Sequence, residues 1–336
     1  MPNDAIFDGI CRRLRLPLIA APMFLVSGVE LVVAACRSGA IGAFPTANCR
    51  TSDQLDLWLG EIRRRLRDHE NAAGVAAAPY CTNLIVHKSN PRLVEDLRTL
   101  LRHEPELVIT SVGSPAQVIG PLHDRGALVF ADVASLRHAE RAIAAEADGL
   151  VLLTAGAGGQ TGWLNPLVFV RAVRKFFNGP IVLAGGICDG HALLSAEVLG
   201  CDLAYMGTKF IATRESMADH SYKEMLVASS ADDILLTRAF TGLQTNMLRP
   251  SIVAAGLDPE SLPERGSIDV ATDISIEAHE TRPTRWRDVW SAGHTTSGVD
   301  SVVTVSQLIA RTLDEYHIAA RALSSGRENA IPSIRV

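Results

Sequence analysis

The chain has 336 residues, of which 47% are hydrophobic and 21% charged, and its formal net charge is −5. That length suits one large domain with extensions or two ordinary ones, and the composition is that of a chain able to bury a sizeable core. The weakly acidic balance argues against nucleic acid as the main partner, and the absence of any apolar run near ~20 residues argues against a membrane span.

The N-terminus, MPNDAIFDGICRRLRLP, is polar and carries no secretory signal, so a cytoplasmic location is the expectation. Short apolar runs then alternate with longer amphipathic stretches. Expected strands are Leu18–Ala21, Ala40–Phe44, Ala77–Ile85, Leu107–Val112, Ala127–Asp132, Gly149–Thr154, Pro180–Ala184 and Leu203–Met206. Between them lie expected helices Val29–Arg37, Ser52–Arg67, Pro91–Arg102, Ala116–Asp124, Leu136–Glu146, Pro166–Phe177 and Gly190–Leu199. Eight such βα units in series predict a (β/α)8 TIM barrel over residues 1–210. Asn90-Pro91 and Asn165-Pro166 place a capping residue before a proline at a helix start, and Gly179-Pro180 and Gly200 punctuate helix ends. After Phe210 the rhythm stops. Residues 211–336 read as a mostly helical extension packed on the barrel, with an irregular stretch at Pro263–Arg287 and a long amphipathic segment at Asp300–Leu323.

Cys11, Cys36, Cys49, Cys81, Cys188 and Cys201 form no CxxC pair, so reduced thiols and no metal centre are expected. The strongest chemical signal is a pair of glycine-bearing strand ends in the last two units, Leu183-Ala184-Gly185-Gly186-Ile187 and Ala204-Tyr205-Met206-Gly207-Thr208. A phosphate needs several backbone N–H groups aimed at one spot, which glycine permits, and loops after the seventh and eighth strands are where barrels build such sites. Tight turns are the plainer alternative for each alone. The sixth strand runs into Ala155-Gly156-Ala157-Gly158-Gly159-Gln160-Thr161-Gly162, dense enough in glycine for a flat ring or phosphate to lie on bare backbone. Ala21, Pro22 and Met23 end the first strand and can form a wall for a ring, or simply an exit to a loop. Asn83, near the end of the third strand, can hydrogen-bond a ligand or its own loop.

In this order, Ala-Pro-Met, Asn-Leu, the glycine cluster, Ala-Gly-Gly-Ile and Met-Gly-Thr-Lys-Phe resemble the nitronate monooxygenase family, as do the later Tyr222-Lys223, Thr237-Arg238 and Phe240-Thr241-Gly242. The resemblance covers roughly residues 15–250. It implies FMN as cofactor, with Gly185, Gly186, Gly207 and Thr208 on the phosphate, Met23 and Asn83 near the ring and ribityl chain, and Gly158 and Gly159 beside the cofactor. It also implies a small-molecule substrate, with oxygen or NAD(P)H as co-substrate; self-association into a homo-oligomer is left open.

The chain departs from the family pattern Gln-Gly-x-Glu-Ala-Gly-Gly-His after the sixth strand, where it reads Leu153 to Gln160. Gln160 stands where the family's catalytic histidine stands, and a glutamine takes no proton near neutral pH although it can bond a carbonyl or nitro group. His87, in the loop after the third strand, is the candidate for the missing acid/base, the alternative being a solvent-facing or turn-capping histidine. Asp132, at the end of the fifth strand, can orient a loop or contact substrate. Trp163 reads as a lid over the ring or a core aromatic. The expected activity is FMN-dependent oxidation of a nitronate-like substrate by oxygen. NAD(P)H:quinone or enoyl-thioester oxidoreduction and a non-catalytic flavin-binding barrel are the alternatives. Inosine-monophosphate dehydrogenase-like chemistry would need a cysteine in Ala155–Gly162, and none is there.

Overall fold

The structure, a computed structural model, describes residues 2–274 and 288–326. Eight parallel strands close a barrel in the order β1 (Leu18–Ala20), β2 (Ile41–Pro45), β3 (Tyr80–Ile85), β4 (Leu107–Ser111), β5 (Leu128–Val133), β6 (Gly149–Leu153), β8 (Ile181–Ala184) and β9 (Leu203–Met206), with β9 pairing back onto β1. The two-residue β7 (Gly159–Gln160) lies in the loop that leaves β6. Side chains alternate along each strand. Ile19, Ile41, Cys81, Ile109, Phe130, Val151, Val182 and Leu203 fill the barrel interior, while their neighbours face the helices. Expectation and structure differ at β3, which starts at Tyr80 rather than Ala77: Pro79 has no N–H to give a ladder.

Helix α1 (Pro2–Cys11) precedes the barrel, and the outer helices between its strands are α2 (Val29–Arg37), α3 (Ser52–Ala73), α4 (Leu93–His103), α5 (Ala116–His123), α6 (Leu136–Ala144), α7 (Pro166–Val173) and α8 (Gly190–Leu199). Helix α1 puts Phe7 against Phe130, ring centroids 6.0 Å apart, and stops the N-terminal end of the barrel. Capping sets several boundaries. Thr51 opens α3 by accepting a hydrogen bond from Gln54 N, and α3 runs past the expected Arg67 to a left-handed Gly74 at φ 68°. Asn165 caps α7 ahead of Pro166, as the sequence indicated.

After β9 the chain makes the short α9 (Thr208–Ile211), then α10 (His220–Val227), β10 (Ile234–Thr237), β11 (Thr245–Leu248), α11 (Arg249–Ala254), α12 (Val270–Ile274) and α13 (Val305–Gly326). A capping box, with Gln307 N on Thr304 Oγ1 and Thr304 N on Gln307 Oε1, starts α13 later than the expected Asp300. Two features were not anticipated. The stretch read as mostly helical holds an antiparallel pair, β10 with β11, which continues onto β7. And α13 lies against α8 and α2, in the place of the eighth outer helix, so the ring of helices is completed from the far end of the chain. Residues 212–304 are thus an excursion between the eighth strand and its helix rather than a tail. Of the expected irregular stretch Pro263–Arg287, residues 275–287 lie outside the described residues.

The α8–α13 contact is close enough to require glycine: a Cβ on Gly190 would stand 2.0 Å from Tyr316 N and 2.4 Å from Thr312 O. Gly190 N also donates to Glu315 Oε2 at 3.1 Å. We expect Gly190→Ala to lower the unfolding free energy by about 1–3 kcal/mol in urea denaturation, the usual cost of overpacking. The control Gly60→Ala, within α3 and with open space around its Cβ position, should be neutral or stabilising by about 0.5–1 kcal/mol.

Candidate functional site

The C-terminal mouth of the barrel holds a cavity of about 280 Å³. Its floor follows from strand periodicity. One inward-facing step beyond the interior layer, or two steps in β2, each barrel strand contributes a residue that lines the cavity: Ala21, Pro45, Asn83, Ser111, Asp132, Leu153, Ala184 and Tyr205. Asn83 Oδ1 accepts from Ser111 Oγ at 3.1 Å, which leaves the amide Nδ2 for a ligand.

One wall is the loop after β1. Ser27 Oγ accepts from Met23 N and donates to Ala21 O, at 3.0 and 3.2 Å. Asn48 Nδ2 donates to Met23 O and Ser27 O, at 3.0 and 2.8 Å. These bonds hold Pro22 and Met23 against the cavity, and neither Ser27 nor Asn48 stood out in the sequence. The adjoining wall is the pair of glycine turns, since β9 pairs with β1 and a Cβ on Gly207 would stand 3.7 Å from Ala21 Cβ and Met23 Sδ. Ala184 pairs with Tyr205, so Gly185–Gly186 and Gly207–Thr208 leave the barrel side by side. Gly186 has φ 82° and nothing within 4 Å of its Cβ position, so its bare side faces open space.

The excursion supplies the roof through Tyr222, Thr241, Leu243, Thr245, Ile268, Val270, Ser291, Ala292 and Thr295. It is joined to the mouth by backbone–backbone and side chain–backbone hydrogen bonds. His294 N donates to Gly156 O at 2.9 Å, Gly293 N to Thr208 Oγ1 at 3.0 Å, and Asn246 Nδ2 to Ala157 O at 2.7 Å. A Cβ on Gly158 would stand 2.7 Å from Gly293 N. The glycine density after β6 therefore serves the roof: Gly158 is bare because residues 292–293 pack on it. Tyr222 stacks on Trp290, centroids 4.8 Å apart, and its hydroxyl donates to Ser291 O.

Among the described residues, Asp132 is the one carboxylate that lines the cavity, and no Lys, Arg, His or Glu does so. Asp132 is half-buried because one edge opens on the cavity, while its Oδ1 is sealed and has no hydrogen-bond partner; the buried Tyr205 hydroxyl has none either. Burial pushes the Asp132 carboxyl up to about 8. Burial, and Asp132 after it, hold the Tyr205 phenol well above its usual range.

The residues singled out in the sequence are largely brought together. Ala21, Pro22, Met23, Asn83, Gly158, Gly159, Gln160, Gly185, Gly186, Gly207 and Thr208 all line the cavity. His87 does not. Its Nδ1 lies 2.7 Å from Ser89 Oγ and accepts from Ser89 N at 3.3 Å, while Ser89 Oγ accepts from Val270 N at 3.0 Å. The loop turns the ring onto its own backbone, and His87 meets the site only through Val270 of the roof. Trp163 is neither lid nor core, being 69% exposed. Lys209 lines a second, smaller cavity with Asp300 and Arg311. Cys188 lies past the glycine turn, its thiol pushed up by burial and by Asp189, which is the reverse of an activated thiol. All six cysteines are free thiols, and no helix among the described residues is long and apolar enough to cross a membrane.

The sequence model of the nitronate monooxygenase family matches residues 11–315, beyond the roughly 15–250 that the motifs suggested, and so takes in the roof and part of α13. The nitronate monooxygenase of Paraburkholderia phytofirmans is 29% identical over 294 residues, covering 76% of this chain and 80% of that protein. An octahydroindene-carboxyl-CoA dehydrogenase of Mycobacterium tuberculosis is 23% identical over 240 residues, covering 70% of this chain and 64% of that protein. Among solved structures, nitroalkane oxidase from Streptomyces ansochromogenes matches with a TM-score of 0.78 at 22% identity, covering 94% of this chain and 99% of the other. FabK from Thermotoga maritima matches with 0.75 at 22% identity, covering 95% and 97%. At this identity the two structures show a shared fold.

The raised Asp132 carboxyl has a consequence for stability. Between the ordinary carboxylate value of ~3.9 and about 8, the folded chain keeps a proton that the unfolded chain has lost, so stability falls as pH rises through that window and levels off above it. Asp132→Asn removes the penalty. We expect it to raise the unfolding free energy by ~2 kcal/mol near pH 8, allowing for the edge open to cavity water, with the gain fading toward pH 4. Chemical denaturation across this range checks both the sign and the trend.

Proposed function

We infer the function of this chain from the premise that it belongs to the nitronate monooxygenase family and is an oxidoreductase: its cavity takes FMN and a small nitronate-like substrate, which it oxidises with oxygen. The observation that carries this reading is the convergence on one cavity of strand ends from opposite parts of the sequence, Ala21–Met23, Asn83, Gly158–Gln160, Gly185–Gly186 and Gly207–Thr208.

The residues present fit the cofactor. The open Cβ position of Gly186 and the adjacent turn at Gly207–Thr208 leave room for a phosphate against main-chain N–H groups and the Thr208 hydroxyl. The fit relies on these neutral donors, because Lys209 points into the second cavity. Asn83 Nδ2 and the Met23 loop, fixed by their own hydrogen bonds, would hold the ribityl chain and ring. When bound, FMN supplies a two-electron acceptor. The chain's own part is to bind, orient and exclude water: the roof encloses the space, Met23 and Ile187 give it apolar walls, and Gln160 offers an amide to a nitro or carbonyl oxygen.

Oxidoreduction of an acyl thioester is the second reading. It is favoured by Gln160, which removes the family's usual base, and by the CoA-ester dehydrogenase among the relatives. Anaerobic mixing separates the two. We expect the flavin absorbance to be bleached by propane-1-nitronate and restored by air, with enoyl-CoA, NADH and NADPH at least ~10-fold slower. Faster bleaching by NADH or NADPH, followed by reoxidation by an enoyl thioester, would install the second reading instead.

A further inference from the structure

Thr208 lines the mouth cavity, and the next residue, Lys209, lines a second cavity of about 190 Å³ that shares no lining residue with the first. Three segments meet there: Lys209 on α9, Asp300, Ser301 and Val303 at the end of the excursion, and Gln307 and Arg311 on α13. Lys209 is only 8% exposed, yet among the described residues it makes no hydrogen bond and no ion pair. Its Nζ is not among the sealed polar atoms either, so the ammonium opens on the cavity that it lines.

The one carboxylate of the described lining is already engaged. Asp300 Oδ2 accepts from Arg311 Nη1 at 2.8 Å, and Asp300 Oδ1 accepts from Ser301 Oγ at 3.0 Å. The Arg311 bond above all, and the charge of Lys209 last, hold the Asp300 carboxyl below its usual range. Two further carboxylates lie near but do not line the cavity: Glu315 takes Arg311 Nε and Gly190 N, and Glu215 takes Val305 N. Lys209 and Arg311 against Asp300 leave the lining one positive charge in excess. Two donors remain beside the ammonium. Arg311 keeps Nη2, and Gln307, whose Oε1 is used by Thr304, keeps its Nε2.

A lysine is almost never buried to this degree without a partner, because a desolvated charge is costly unless it is paired. We propose that the second cavity is a binding site for a phosphate group, held by Lys209 Nζ with Arg311 Nη2 and Gln307 Nε2. Three donors on separate residues suit an anion with several oxygens around one centre, and the two cations supply charge-assisted bonds. Asp300 opposes the anion and keeps the site from being saturated by any weakly charged species. The ligand bridges α9, the end of the excursion and α13, the helix that completes the outer ring. It therefore binds the folded chain and not the unfolded one, and fastens α13 to the end of the last barrel strand. The site is independent of the flavin reading, since Lys209 takes no part in the mouth cavity.

The probe is inorganic phosphate, exchanged for chloride at constant ionic strength and titrated calorimetrically into the full chain, with thermal unfolding followed on the same samples. For the wild type we expect saturable binding and a Tm that climbs with the logarithm of phosphate concentration. Lys209→Met keeps the stem and removes the ammonium, so it should weaken binding at least ~30-fold and cancel the rise in Tm. Without phosphate its Tm should equal or exceed that of the wild type, because an unpaired buried charge has been removed. Arg311→Gln should weaken binding ~5-fold or more, and Asp300→Asn should tighten it ~3-fold or more by deleting the opposing charge. Phenyl phosphate distinguishes the sources of the group. Affinity close to that of phosphate assigns the site to the end of a larger phosphomonoester, and exclusion assigns it to the free ion; in both cases the binding must need Lys209. Phosphate binding that survives Lys209→Met belongs to the glycine turns of the mouth and would overturn the second site. So would weaker binding in Asp300→Asn, no phosphate-dependent shift in the wild type, or a lower phosphate-free Tm in Lys209→Met, which would show the ammonium serving the fold.

Discussion

The site depends on main chain packed directly against main chain where the loop after β6 meets residues 292–294. His294 N on Gly156 O, Gly293 N on Thr208 Oγ1 and the β7–β11 pairing bind the excursion to the barrel mouth at three places. The approach is possible because Gly156, Gly158 and Gly293 lack side chains: Cβ atoms there would stand 2.7 Å, 2.7 Å and 2.6 Å from atoms of the facing segment. Without that junction the floor and the glycine turns would still exist, but as an open bowl. With it they enclose a space in which hydrogen bonds act at low dielectric and orphaned donors matter.

The same closure explains the electrostatics. A roofed, mostly apolar cavity without a lining cation among the described residues is hostile to a carboxylate, and burial favours the protonated form of Asp132. A half-buried acid with one carboxyl oxygen sealed and unpartnered reduces stability, the usual sign of a residue kept for something other than the fold.

Much of this was legible in the sequence for definite reasons. Strand alternation and the punctuation by Asn165-Pro166, Gly179-Pro180 and Gly200 mark the βα units, because each signal is local. The glycine turns after β8 and β9 were legible because parallel register places them side by side whatever the loops do. What was not legible depends on distant partners. Nothing near Asp300–Leu323 says that α13 will take the eighth helical position, since that is decided by Gly190 on α8. Strands β10 and β11 are short, and β11 pairs with a two-residue strand in a loop more than eighty positions away. The glycine cluster was read as ligand-facing when part of its purpose is to admit the roof. His87 was placed on the correct face of the barrel, but the direction of its ring is set by Ser89 and by Val270 in the excursion. Asp132 and Tyr205 were half visible: counting by twos from Phe130 and from Leu203 puts both on the floor, and only the closed cavity shows their polar ends without partners.

In the proposed function, main-chain amides and one hydroxyl at Gly185–Gly186 and Gly207–Thr208 would hold the phosphate of a flavin. The direct measurement is an equilibrium titration of flavin-free protein by quenching of flavin fluorescence, with FMN compared against riboflavin, the same ring system without the phosphate. Two charge-assisted hydrogen bonds together give about 3 kcal/mol or more, so FMN should saturate at one per chain and riboflavin should bind at least ~100-fold more weakly. Equal affinity for the two, or no uptake of either, would contradict the account.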